Sequence, residues 1–440
     1  MSRETSSPAP RIGLLTCVAL VVGNSIGGGV YLLPASLAPY GINGLIAWVT
    51  AAAGASLLAV MYVKLSRALP RAGGPYAYTR EAFGPLPAFL VSWGYWISIW
   101  VGNAAIVVGG VSYLGALYPA IDHRPGAAPL LAIAVLWSLT IVNCRGIAAS
   151  GRVQAVSVVL KVLPLIAVAI AAPFALREGQ FGDLRAATPA SFDAVTTAAT
   201  MTLFALIGLE SATIPADKVR DPQRTVPAAT LIGALATILI CALACTAVLL
   251  ILPSAELARS SAPFVDLSVR LWGAWSGPLV AGLAAVSAFG ALNGWILLQG
   301  ELPYAMAKAG AFPAFFARTS RRGAPVGALV FGSVLVTALL LTNFRQSMVS
   351  VFTFMILLST TACVLMYGVC ALALVRLSWN GRIRTASGNA RAGLVALGGA
   401  AALYSLWAMI GAGREANLWG LALLAAGLPF YYGIRKPSAP

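Results

Sequence analysis

Between Arg11 and Arg435 the chain repeats one pattern, in which a long apolar run gives way to a short polar or basic link and then to another apolar run. A helix needs about 20 apolar residues to cross the hydrocarbon core of a bilayer, where each backbone amide and carbonyl must find its partner inside the segment. The pattern therefore predicts an all-α membrane protein. Only 10% of the residues are charged, against roughly 25% in soluble domains, which excludes an ordinary water-facing fold.

Twelve spans are expected, at 12–37, 43–64, 85–117, 127–143, 153–173, 194–216, 226–252, 276–304, 325–342, 348–375, 392–413 and 417–434. Residues 1–10 read as a polar cytoplasmic leader with no cleavage site, 11–434 as one transporter domain, and 435–440 as a cytoplasmic tail. An even number of spans returns both termini to one side. On that side fall most of the 29 basic residues, whereas the opposite side receives Arg124, Arg177, Arg185, Arg259, Arg270, Arg345 and Arg414. Basic residues favour the cytoplasmic side, so both termini are expected there, in a bacterial inner membrane. The net charge of +16 is accounted for by topology, because dispersed loop cations make no continuous patch for nucleic acid.

The six cysteines form no CxxC pair, which calls for neither a disulfide framework nor a zinc site. HExxH and the phosphate-binding GxxxxGK[ST] pattern are both missing, so no metal or cofactor is expected and transport would run on gradients rather than ATP. Gly23-Asn24-Ser25-Ile26-Gly27 matches the GxSxG nucleophile pattern, but it sits in an apolar span and the sole histidine, His123, lies in a distant loop. The chain is read as a transporter, not an enzyme.

Two spans carry their own interruption. The first contains Gly23-Asn24-Ser25-Ile26-Gly27-Gly28-Gly29 and the sixth Ala205-Leu206-Ile207-Gly208-Leu209-Glu210-Ser211. Each glycine weakens a helix by roughly 1 kcal/mol relative to alanine, and irregular backbone at membrane depth survives only when buried in protein or lining a cavity. Breaks five spans apart occupy corresponding positions in two halves of five helices, about 11–173 and 194–375, with two further helices over 392–434. No residue-level repeat accompanies this symmetry. Amides of Gly27, Gly28 and Gly29 are candidates to hold a carboxylate, and carbonyls of Ser25, Phe204 and Ile207 to accept from an ammonium. Glu210 is an intramembrane carboxyl suited to proton coupling or gating. Trp295 offers a face to a cationic tail, while Ser98, Asn103 and Ser359 are polar groups able to meet the far end of a ligand. Lys161 falls close enough to a span end to reach the interface by snorkelling.

These residues carry a resemblance. Gly23 to Pro34, Gly73-Gly74-Pro75-Tyr76-Ala77-Tyr78, Tyr95-Trp96 through Asn103, Ile207 to Ala212 and Gly294-Trp295 resemble the basic amino acid/polyamine antiporters of the amino acid-polyamine-organocation superfamily, nearest to their arginine/agmatine branch. The resemblance implies a five-plus-five inverted repeat with broken helices 1 and 6 and two C-terminal helices, a homodimer, and alternating access for an amino acid or amine substrate. It further implies that Gly28 and Gly29 hold the substrate carboxylate and that the carbonyls of Ser25, Phe204 and Ile207 take its ammonium, and Asn24, Gly27, Ala205 and Gly208 are counted with them as substrate-binding residues. Ser98, Ile99, Asn103, Trp295 and Ser359 match the side-chain pocket, and Tyr95, Glu210 and Tyr367 an external gate. The arginine/agmatine branch carries tryptophan at Phe204, cysteine at Ile99 and serine at Gly28 and Ala205. Phenylalanine stacks more weakly on a guanidinium and Ile99 removes a polar contact, which opens the site to a ligand other than arginine. Exchange of an arginine-like amino acid for its amine product stays the first expectation, with a neutral amino acid permease or a non-transporting membrane sensor as alternatives.

Overall fold

The computed structural model describes residues 13–71, 73–124, 126–145, 147–179, 181–182, 189–214, 216, 219–342, 348–384 and 387–434. The expected leader and tail lie outside the described residues. Among those described, the regular structure is helical and no strand occurs. Helices α1 (Leu14–Ser25) and α2 (Gly28–Leu37) are followed by α3 (Ile42–Ala68), α4 (Pro75–Phe83), α5 (Pro85–Leu117), α6 (Ala127–Cys144), α7 (Ile147–Arg177) and α8 (Phe192–Phe204). The rest of the chain forms α9 (Pro222–Ile251), α10 (Pro263–Trp272), α11 (Ser276–Lys308), α12 (Val326–Thr342), α13 (Met348–Trp379), α14 (Gly388–Gly411), α15 (Gly413–Ala425) and α16 (Gly427–Ile434).

Local chemistry sets several of the boundaries. Pro75, Pro85, Pro222 and Pro263 open their helices at the first position, where a missing amide costs nothing. Ser191 caps α8 by accepting from the Ala194 amide at 3.1 Å. Gly84 joins α4 to α5 at φ 88°, in the left-handed region open to glycine.

Nine helical segments among the described residues are long and apolar enough to cross a membrane, and α12 is a shorter apolar helix. Their surroundings sort them. In its most apolar window α5 is 94% buried, whereas α14 is 22% buried, so α5 runs through the interior and α14 along the outside. The outer face of α14 exposes Leu403 and Ile410 by 70% and 65%, a surface suited to lipid rather than water. The chain is a multi-pass membrane protein. Its centre is built from α11 and α13 packed on α5, with α9 on α3 and α11 on α7 around them. Trp93 and Trp96 lie inside this core, donating to the carbonyls of Leu423 at 2.9 Å and Gln299 at 3.0 Å.

The sixth expected span is subdivided at the interruption anticipated for it, the last is subdivided as well, and further helices come in addition. The sixth span stops as a helix at Phe204, and Ala205, Leu206 and Ile207 donate to carbonyls three residues back at 2.9 to 3.3 Å before a short 3₁₀ turn at Ser211–Thr213. The segment 417–434 is two helices that meet at Ala426. Helices α4 and α10 were not anticipated, because each is short and only half apolar, below the length that marks a span.

Candidate functional site

The two interruptions face each other. Helix α1 ends at Ser25 and α2 begins at Gly28, which leaves the last carbonyls of one helix and the first amides of the next without intrahelical partners. Three of the four terminal carbonyls are taken up by other groups. Val22 accepts from the Ile26 amide at 2.8 Å, Gly23 from Lys161 Nζ at 2.8 Å, and Asn24 from Trp295 Nε1 at 2.9 Å. No donor among the described residues reaches the Ser25 carbonyl.

Contact across the breaks depends on small residues. Gly208 adopts φ 112°, and a Cβ there would meet Ser25 Oγ at 3.0 Å and the Ser25 amide nitrogen at 3.2 Å. A Cβ on Gly29 would run into the Phe204 ring, and one on Gly27 would meet Ala291 Cβ at 2.8 Å. Asn24 Nδ2 donates to Ser211 Oγ at 3.1 Å and ties the first break to the second.

Between them lies a cavity lined by Asn24, Ser25, Gly27, Gly29, Ser98, Ile99, Gly102, Ile106, Phe204, Ala205, Ile207, Trp295 and Ser359. It brings together eleven of the residues expected around a substrate. Gly208 and Asn103 are not among the lining residues. Asn103 is fully buried and donates to Gln299 Oε1 at 2.8 Å, while its own Oδ1 has no partner among the described residues. Gly102 and Ile106 were missed by sequence reasoning, although the one-turn and two-turn spacing from Ser98 and Ile99 along α5 contains the signal.

The cavity's chemistry is asymmetric. Ser98 Oγ donates to the Tyr95 carbonyl at 2.8 Å and Ser359 Oγ to the Ser98 carbonyl at 2.7 Å, so both hydroxyls turn acceptor lone pairs inward. Trp295 has spent its one N–H on Asn24, leaving only its π surface for a ligand. No carboxylate lines the space. Its free volume is about 30 Å³, room for about two waters at roughly 10 to 15 Å³ each. An amino acid enters only if a wall residue moves, and Phe204, packed over Gly29, is the largest side chain spanning the two breaks.

Glu210 is fully buried outside the cavity. Tyr95 donates to its Oε1 and Tyr367 to its Oε2, each at 2.7 Å. Tyr95 lies one turn from Ile99 toward the α4 end of α5, and Tyr367 two turns from Ser359 toward the same end of α13, where Cys370 approaches the Pro75 carbonyl. That end also carries Lys64, Arg67 and Arg382, the side read as cytoplasmic from charge. The trio lies on the side of the cavity nearer these basic residues, whereas the resemblance implied an external gate.

Lys161 is also corrected. It does not snorkel but is fully buried, with Nζ on Gly23 and its own carbonyl accepting from Tyr31 Oη at 2.7 Å. Spacing along one helix could not reveal this, since the unwound α1 supplies the partner.

A polytopic membrane protein with a closed cavity between two broken helices has the layout of a small-solute transporter. The amino acid permease family model matches residues 12–422, and the chain belongs to that family. It is 33% identical over 338 residues to the cadaverine/lysine antiporter of Escherichia coli (strain K12), covering 76% of this chain and 75% of that protein. It is 28% identical over 428 residues to the putrescine transporter PotE of Haemophilus influenzae, covering 97% of both. It is 30% identical over 454 aligned positions to a putative arginine/ornithine antiporter of Bacillus subtilis, covering 95% of this chain and 96% of that protein.

Proposed function

We propose that the protein is a secondary antiporter of a bacterial inner membrane, exchanging a cationic amino acid for an amine product by alternating access. The observation that carries this reading is the cavity between the breaks, lined by Ser25, Gly27 and Gly29 of the first break together with the hydroxyl residues Ser98 and Ser359. The Ser25 carbonyl receives the α-ammonium, the Gly28 and Gly29 amides the carboxylate, and Ser98 and Ser359 the polar tail over the Trp295 ring. A desolvated cation over tryptophan gains about 2 kcal/mol. The names of the relatives, which are antiporters or transporters of lysine, cadaverine, putrescine, arginine and ornithine, support the same substrate class.

The remaining topology follows from this reading. Twelve spans form a five-plus-five inverted repeat over 11–173 and 194–375, with two further helices over 392–434 and both termini cytoplasmic. Two such chains associate as a homodimer. Phe204 opens and closes the cavity, and the Tyr95–Glu210–Tyr367 trio shuts the cytoplasmic path or couples it to protons.

Proteoliposomes loaded with unlabelled substrate provide the test. Uptake of radiolabelled arginine, lysine or ornithine should rise strongly when an amine or amino acid is present inside. Uptake independent of internal substrate rejects antiport, and absence of both uptake and binding for every cationic candidate rejects the substrate class. One observation favours a second reading, exchange of neutral amino acids. Ile99, Ile106 and Phe204 form an apolar wall with no facing carboxylate, and competition by leucine or alanine equal to that by arginine would select it.

A further inference from the structure

Away from the central cavity, a larger recess of about 690 Å³ opens where the last turn of α3 meets the α13–α14 link and the first turns of α14. Lys64, Arg67, Arg382 and Arg384 line it on one side, and Leu394 and Leu397 on the other. Arg382 Nη1 is paired with Glu81 Oε1 at 2.9 Å, and Arg71 takes the other oxygen of that carboxylate at 3.3 Å. Lys64, Arg67 and Arg384 have no ion-pair partner among the described residues. Three exposed cations thus converge without an ion-paired carboxylate among the described residues. The N-terminus of α14 adds its positive end to the same wall.

Depth is set by a second feature. Trp379 closes α13 with 66% of its surface exposed, and the Arg391 guanidinium lies over its ring at 5.7 Å. Exposed tryptophan at the end of a spanning helix marks the headgroup level. The recess therefore combines a cationic rim at that level with an apolar flank descending along α14, the profile of a phospholipid rather than of a soluble metabolite.

We propose that this recess binds the phosphate headgroup of an anionic phospholipid, with Lys64, Arg67 and Arg384 on the phosphate and an acyl chain along Leu394 and Leu397. The site is independent of the transported solute. A structural lipid here clamps α3 to α14 and holds a lipid-facing helix against the core.

The test uses full-length protein in nanodiscs of phosphatidylcholine with one-tenth cardiolipin, and native mass spectrometry of the protein released from them. The wild type should retain cardiolipin in preference to phosphatidylcholine. Each cation beside an anionic lipid strengthens attraction by roughly fivefold, so the combined Lys64→Gln, Arg67→Gln and Arg384→Gln variant should lose occupancy by on the order of a hundredfold. A control with Arg318→Gln, Arg321→Gln and Arg322→Gln, on another basic loop, should keep it. Equal retention by the first variant, equal loss in the control, or displacement by millimolar inorganic phosphate would each overturn the assignment. A wild type without preference for cardiolipin overturns it with no variant needed, so a misfolded variant leaves the question decidable.

Discussion

Lys161 Nζ donates to the Gly23 carbonyl over 2.8 Å, joining α7 to the last turn of α1 before it unwinds. A lysine buried inside a membrane protein persists only where its Nζ has a partner, and here the partner exists because the helix is broken. Replacement by methionine leaves the Gly23 carbonyl buried without a donor, a loss of roughly 1 to 3 kcal/mol. Since this geometry belongs to the closed cavity, Lys161→Met should shift the conformational equilibrium and lower exchange by about 5- to 150-fold. Unchanged exchange rates in proteoliposomes would show that the contact is dispensable.

The two tyrosines on Glu210 make distinguishable predictions. Glu210→Gln keeps an acceptor for one tyrosine and presents an amide to the other, which can turn to accept. Exchange should therefore survive in Glu210→Gln while its dependence on pH flattens, whereas Glu210→Ala should abolish exchange by opening a hole beside two unpaired hydroxyls. Rates measured from pH 5 to 8 decide the matter, and an unaltered pH profile in Glu210→Gln removes the carboxyl from proton coupling.

Trp295 has two separable jobs. Trp295→Phe retains an aromatic face but loses the bond to Asn24, and Trp295→Ala loses both. If the ring reads a cation, alanine should weaken arginine binding by about 2 kcal/mol, or roughly 30-fold, with a smaller effect on a neutral amino acid. Calorimetric titration with paired ligands checks this, and equal losses would contradict cation recognition.

Glycine is required where the breaks touch. Gly208→Ala must hold a side chain at φ 112° against Ser25, a strain of order 1 to 3 kcal/mol. Gly29→Ala must displace the Phe204 ring. Both variants should insert in the membrane at near-normal levels yet bind substrate at least tenfold more weakly, as saturation binding on purified protein would report. Wild-type affinity in either variant would mean that the breaks tolerate separation.

The sequence by itself determined the class of fold and the position of both interruptions. Apolar length is a local property, so most of the long helices fall within a few residues of the expected apolar segments, and the glycines from Gly23 to Gly29 mark the first break unaided. Most of the cavity wall was legible for the same reason, because the breaks expose backbone wherever they occur. Tertiary structure alone decided what those backbone groups meet. Lys161 and Trp295 reach Gly23 and Asn24 from helices far away in the chain, and Asn103 turns from the cavity to Gln299. It also set Tyr95 and Tyr367 on Glu210 toward α4, and gathered Lys64, Arg67 and Arg384 around one recess. Hydropathy records how each segment meets the bilayer, whereas a hydrogen-bond partner depends on the rotation and depth of two helices against each other, which only their packing fixes.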